Sequence, residues 1–164
     1  MTDDLRQLVA AHPFLGGLSE HHLALVTDCA HLVQLQPEQV LFRAGDPARG
    51  FYLLQSGKIA VEAASEGEPT VTIDVVKGGE PLGWSWMYEP FVCEYGARAL
   101  EPTTAIFVDA KRLTQHRSAD MTFGHELFKR MSSVMVRRLK AARAKYVEVA
   151  HREHHLQQQH QPQG

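Results

Sequence analysis

Apolar positions change period twice along this chain. From Asp3 to Ala11, Leu5, Leu8 and Val9 recur at helical spacing, and His12-Pro13 ends the run. Ser19 stands as the N-cap of a second helix, Glu20 to Ala30, with Leu23, Val26 and Ala30 on one face. A tight apolar connector, Pro13 to Leu18, joins the two. From His31 to Asp109, short runs rich in Val, Ile, Phe and Tyr alternate with Gly, Pro and Asp. The predicted strands are Leu32 to Leu35, Val40 to Phe42, Phe51 to Leu54, Ile59 to Ala63, Thr70 to Val76, Val92 to Leu100 and Thr104 to Val108. Alternation is strictest in Thr70 to Val75, a half-buried strand, and Glu62 to Pro69 reads as a hairpin loop. Strands recurring in this way predict a sandwich or barrel.

After Asp109 the helical period returns. Lys111 to Gln115 gives a short turn, and from about Met121 to at least His151 there is no proline and a single glycine, Gly124. Phe128, Met135, Ala142, Val149 and Leu156 repeat every seven residues, with Leu139 and Tyr146 on the intervening seam. Such a heptad stripe favours helix pairing, so a homodimer seam is expected at Phe128, Met135, Leu139, Ala142, Tyr146 and Val149. Ser132 and Glu153 interrupt it, and a helix packed on its own barrel is the alternative. Residues 154–164, rich in His and Gln, read as a disordered tail.

The chain thus divides into N-terminal helices at 1–30, a β-barrel at 31–109, C-terminal helices at 110–153 and the tail at 154–164. The fold class is mainly β with flanking helices, a jelly-roll barrel followed by a long helix. Its 164 residues suit one domain, and a net charge of -2 gives no global pull toward nucleic acid or membrane. No apolar run approaches the roughly 20 residues a membrane helix requires. The acidic start, Met1-Thr-Asp-Asp, has no signal-peptide pattern, so the expected location is the cytoplasm, with Cys29 and Cys93 as free thiols. No nucleophile motif, nucleotide-hydrolase phosphate loop or metal-spaced pair occurs, so no catalytic residue and no metal site are expected. His21-His22 and the trio His151, His154 and His155 offer imidazoles, the trio at spacings that chelate adventitiously, with a solvated tail the preferred reading. The last helix is basic (Lys129, Arg130, Arg137, Arg138, Lys140, Arg143 and Lys145), which suits an acidic partner or, more simply, a solvated coiled-coil flank.

Two strands joined by glycine-centred turns, Phe42-Arg-Ala-Gly45-Asp46-Pro47 and Phe51-Tyr52-Leu53-Leu54-Gln55-Ser56-Gly57-Lys58-Ile59, carry a more specific pattern. They resemble the cyclic nucleotide-binding domain family, the sensor module of catabolite-activator-type transcription factors, cAMP-dependent kinase regulatory subunits and cyclic-nucleotide-gated channels. Pro13-Phe14-Leu15 with Leu18-Ser19 looks like the family's N-terminal helical segment. Gly79-Glu80-Pro81-Leu82-Gly83 resembles the opening of its phosphate-binding cassette (79–98 here), and Ala97-Arg98-Ala99-Leu100-Glu101 the strand that leaves it. Met135-Val136-Arg137-Arg138-Leu139 looks like the middle of the long helix in the bacterial branch.

The resemblance implies a regulatory cyclic-nucleotide-binding-like module, with two departures. No helix-turn-helix pattern follows the long helix, so direct sequence-specific DNA readout has no candidate element. In the cassette, the family places a glutamate for the ribose directly after the second glycine and an arginine for the phosphate further on. Here Trp84 follows Gly83, Cys93 stands where the arginine belongs, and Glu94 beside it would repel a phosphate. Arg98 corresponds to a shared strand position, and Ala142 and Arg143 to the cap side of the purine. The expected pocket residues are therefore Gly79, Gly83, Trp84, Ser85, Trp86, Cys93, Glu94, Arg98 and Arg143. Three readings stay open: aromatics plugging a vestigial pocket, a rebuilt pocket for an apolar or aromatic ligand, and a surviving cyclic-nucleotide site. Cys93 is either a small buried hydrophobe or a redox or metal-ligating thiol. The function expected is ligand sensing that regulates a protein partner, with the ligand not required to be cAMP or cGMP. The alternative is a ligand-independent adaptor.

Overall fold

The computed structural model describes residues 2–159, and the chain divides into two compact units at Glu126/Leu127. In the first, α1 (Thr2–Ala11) and α2 (Glu20–Asp28) flank a short 3₁₀ turn, Pro13–Leu15. Eight strands follow: β1 (Ala30–Leu35), β2 (Val40–Phe42), β3 (Gly50–Ser56), β4 (Lys58–Ala63), β5 (Val71–Lys77), β6 (Pro81–Leu82), β7 (Gly96–Ala99) and β8 (Thr103–Asp109). They form two antiparallel four-stranded sheets, ordered β1-β8-β3-β6 and β2-β7-β4-β5, the expected jelly-roll architecture. Then come α3 (Ala110–Ala119) and α4 (Met121–Gln159), the latter forming the second unit from Leu127 onward.

The boundaries follow local chemistry. Ser19 caps α2 as expected, its Oγ accepting from the His22 N–H at 3.2 Å. That helix stops at Asp28 and not at Ala30, because Ala30 is taken into β1 opposite Val108. Asp109 caps α3 through the Arg112 N–H at 2.8 Å, which extends the short predicted turn to ten residues. The predicted strand Val92 to Leu100 shrinks to Gly96–Ala99, since Val92 makes only an isolated bridge to Pro47. Strand β6, two residues long, was not foreseen; too little chain is involved to show a period. The tail expectation fails over His154 to Gln159, which continue α4. No glycine or proline interrupts them, and Gln158 Nε2 donates to His154 Nε2 at 2.8 Å, one turn back. The rest of the expected tail, 160–164, lies outside the described residues.

Gly45 and Gly57 take the left-handed conformation their turns require, at φ +88° and +90°. At Gly57 space forbids a side chain as well: a Cβ would sit 2.2 Å from Thr103 Oγ1, the oxygen that accepts the Lys58 N–H.

Two apolar layers result from the alternation along β3. Leu54, with Tyr52 packed against the same cluster, faces the barrel interior together with Leu35, Ile59, Val76, Leu82, Ala97, Ala99 and Ala105. Phe51 and Leu53 point to the opposite face with their cross-strand partners Val108 and Ile106, and all four are fully buried, as are Val9, Val26 and Leu113 of the helices. Each fully buried Leu, Ile or Phe contributes about 1.5–3 kcal/mol to holding these layers together.

Candidate functional site

The cassette opens on two left-handed glycines that flank β6, Gly79 (φ +89°) and Gly83 (φ +96°). The Gly79 N–H donates to the Leu54 carbonyl at 2.7 Å, fastening the cassette to β3. At Gly83 the backbone runs close to β3, and a Cβ there would touch the Gly50 carbonyl and Phe51 at about 3.5–3.7 Å. Ser85–Met87 then form a 3₁₀ turn with Trp84 at its cap, Trp84 and Ser85 both half-buried.

Trp86 does not enter the barrel. Its ring stacks on Phe51 at 5.4 Å and 22°, on the face of β3 opposite Tyr52. Phe14 meets the other edge of Phe51 at 6.1 Å and 67°, and the Arg117 guanidinium lies 5.7 Å from the indole centroid. This corrects the expectation that the two tryptophans share the pocket: Trp86 belongs to the layer between sheet and helices.

The end of the cassette is laced to the β2–β3 turn. Ala48 donates to the Phe91 carbonyl at 2.8 Å, Cys93 to the Asp46 carbonyl at 2.8 Å, and Gly45 to the Cys93 carbonyl at 2.7 Å. Asp46 in turn braces its own loop, Oδ2 accepting from the Arg43 N–H at 2.7 Å. These bonds fix Cys93 as a buried thiol, while Glu94 next to it is exposed. Burial, and secondarily the Asp46 carboxylate, raise the Cys93 pKa, so the side chain is neutral at neutral pH. Burial also raises the Tyr52 phenol, with Cys93 adding to the effect.

Arg98 is placed away from the barrel interior. Ala97 and Ala99 on either side of it line the barrel cluster, so the pleat turns Arg98 outward. There it is held by Glu62, at 3.1 Å from Nε and by a second contact from Nη2, and by Glu38 at 2.7 Å from Nη1. Those carboxylates, Glu62 first, raise its pKa further. Arg98 is thereby corrected from a pocket residue to an outer clasp joining β7, β4 and the β1–β2 turn. Arg143 lies exposed on the second unit, as do Leu139, Ala142, Tyr146 and Val149 of the expected seam, whereas Phe128 and Met135 are half-buried.

What the barrel cluster offers a ligand is an apolar wall with one phenol. Tyr52 packs against Phe42 at 6.2 Å and against Phe107 at 5.0 Å, and Val61 packs on the same cluster.

The profile described as "Cyclic nucleotide-binding domain" matches residues 32–120, more than half of the chain. The chain belongs to the cyclic nucleotide-binding domain family. Solved structures of the family share its fold. A cyclic nucleotide-binding domain from Methylobacillus flagellatus KT is 16% identical, with a TM-score of 0.74 over 90% of this chain and 83% of that one. The sensor domain of the transcriptional regulator DNR from Pseudomonas aeruginosa is 19% identical, with a TM-score of 0.67 over 85% and 93%. The c-di-GMP responsive global regulator CLP from Xanthomonas campestris is 18% identical, with a TM-score of 0.70 over 80% and 65%. At these identities the likeness is one of fold. No curated protein matches the chain in sequence. Of these neighbours, DNR is a transcriptional regulator and CLP a global regulator, and among the described residues no helix of this chain is long and apolar enough to cross a membrane.

Proposed function

We propose that this chain is a regulatory sensor module whose barrel takes a small ligand other than cAMP or cGMP, and that it acts on a protein partner. The observation that carries this reading is that Arg98 is committed outward to Glu62 and Glu38 while Cys93, which the resemblance aligns with the family's phosphate cation, is a buried, neutral thiol. Tyr52, Phe42 and Val61 suit an uncharged ligand with an apolar or aromatic body. A fold neighbour, the regulator CLP, is c-di-GMP responsive, which supports the idea that this fold serves ligands beyond simple cyclic mononucleotides. Calorimetric titration with cAMP and cGMP is the test. No binding at micromolar concentration is expected for either; micromolar affinity for one of them overturns the reading.

The close packing of Tyr52 on Phe42 and Phe107 favours a second reading, a ligand-independent adaptor. Native mass spectrometry of protein taken from its own cells separates the two, since a sensor retains or exchanges a small molecule and an adaptor carries none.

The exposed seam of α4 supports a homodimer as the signalling form. Leu139, Tyr146 and Val149 are 51%, 74% and 49% exposed at heptad spacing, an apolar line that a second copy of the helix would cover. Sedimentation equilibrium is expected to give twice the chain mass, falling to a single chain for the double variant Leu139→Glu, Tyr146→Glu. An unchanged mass removes the seam from consideration.

A further inference from the structure

Away from the barrel interior, the end of α2 and the face of α3 bring together three side chains of mixed chemistry. Asp28 and Cys29 adjoin at the α2 terminus, and His116 comes from α3, 88 residues beyond Asp28. One ligand atom from each, a carboxylate oxygen, Sγ and an imidazole nitrogen, all lie within 4.8 Å of one another. His116 Nε2 is already 2.9 Å from Asp28 Oδ2. We propose that Asp28, Cys29 and His116 form a binding site for a divalent transition ion of the zinc class.

The geometry is close to what such an ion requires. With metal–sulfur bonds of about 2.3 Å and metal–nitrogen or metal–oxygen bonds of about 2.0–2.2 Å, tetrahedral ligands stand roughly 3.3–3.7 Å apart. The ion therefore spreads the His116–Asp28 pair by a few tenths of an ångström and draws in the remaining ligand atom by up to about one ångström. Asp28 is exposed and His116 half-buried, so both have room to make that adjustment. Cys29 is buried, with its backbone fixed by its N–H to Val26 and by its carbonyl, which accepts from Asp109 at 2.9 Å.

Arg112 gives the site its orientation. Its Nη2 holds Asp28 Oδ1 at 3.1 Å, which leaves Oδ2 turned toward His116. A carboxylate gripped on one oxygen so that the other meets a metal is the usual outer-shell arrangement. Among the ligands themselves, a thiolate and a carboxylate match the charge of a dication and the imidazole stays neutral, with Arg112 one positive charge outside them. On binding, the Cys29 S–H bond is replaced by a metal–sulfur bond and the proton passes to solvent. Sulfur with nitrogen selects a borderline ion of the zinc type over magnesium or calcium. Three protein ligands leave a fourth position for water. Occupancy would tie the end of α2 to α3, an input to the helical layer that is independent of any ligand in the barrel.

Cobalt titration of the whole reduced chain tests this, because only a cysteine ligand gives the near-ultraviolet sulfur-to-cobalt absorption band. The His151, His154 and His155 cluster has no sulfur and cannot produce it. One equivalent of cobalt is expected to generate the band, zinc to bleach it, and Cys93→Ser to leave it in place. Cys29→Ser is expected to abolish it, and Arg112→Ala to weaken cobalt binding about 10–100-fold. No band in the native chain, or a band that survives Cys29→Ser, overturns the site. Should Cys29→Ser fail to fold by circular dichroism, His116→Ala decides: an unchanged cobalt affinity in that variant also overturns it.

Discussion

Trp86→Ala is expected to lower unfolding stability by about 3–5 kcal/mol, read from the urea midpoint at constant slope. The indole is 5% exposed, stacks on Phe51, which is fully buried, and carries Arg117 over its ring. Its removal opens a void between β3 and the helices that rigid strand pairing of Phe51 with Val108 cannot close. Trp84→Ala, at a half-buried position one residue before the 3₁₀ turn, is expected to cost about 1 kcal/mol. Equal losses from the two variants would refute the separation of their roles. Fluorescence gives a second check: in Trp84→Ala the remaining emission should be that of a buried indole.

The second large effect falls on His12, which sits between α1 and the 3₁₀ turn at 2% exposure. Its Nε2–H donates to the Leu54 carbonyl at 3.0 Å, and its Nδ1 accepts the Phe14 N–H at 3.2 Å. The same carbonyl receives Gly79, so one histidine links the N-terminal turn, β3 and the cassette. His12→Ala strands the buried Phe14 N–H and deprives the Leu54 carbonyl of one donor, for an expected loss of about 2–4 kcal/mol. Burial lowers the His12 pKa below its ordinary 6.5, against the smaller opposing effect of the Leu54 bond. Below about pH 6.5 the unfolded chain therefore takes a proton that the folded one refuses. Stability is full above that pH, declines as pH falls toward the lower folded value, and levels off beneath it. His12→Asn should abolish this component of a urea series between pH 8 and pH 5; an unaltered pH profile would count against it. Asp28 and Asp120 act in a separate, more acid window. The His116 hydrogen bond holds Asp28 below its ordinary 3.8, and the Phe123 N–H does the same for Asp120. Their contribution is present above that value and is lost as pH falls through the lower folded one.

Strands and helices were readable because their periods differ and because Gly45 and Gly57 mark turns that need positive φ. Arg98 was readable too, in principle: a large charged residue between two alanines on a strand points away from the core those alanines line. Trp86 was not. A loop residue carries no period, and adjacency to Trp84 says nothing about which face of β3 it will cover. His12 reads in sequence as a helix stop before Pro13, and its partner Leu54 is set by tertiary folding alone. Asp28, Cys29 and His116 share no spacing, since two ends of the first unit must meet before they form a set. The added turn and more of α4 has a simpler cause: His/Gln composition suggested disorder, yet those residues lack any helix breaker before Pro162.

The lacing of Cys93 to the β2–β3 turn limits what a cation placed at this position could do. A guanidinium installed by Cys93→Arg would arrive beside Asp46, whose carboxylate already acts on the residue at that position. The new charge would be claimed by the turn before any phosphate reached it. Removing Asp46 to release it would cost the turn its brace on Arg43. A free cation at residue 93 thus requires changing two loops together, and the single substitution gives a self-quenched charge.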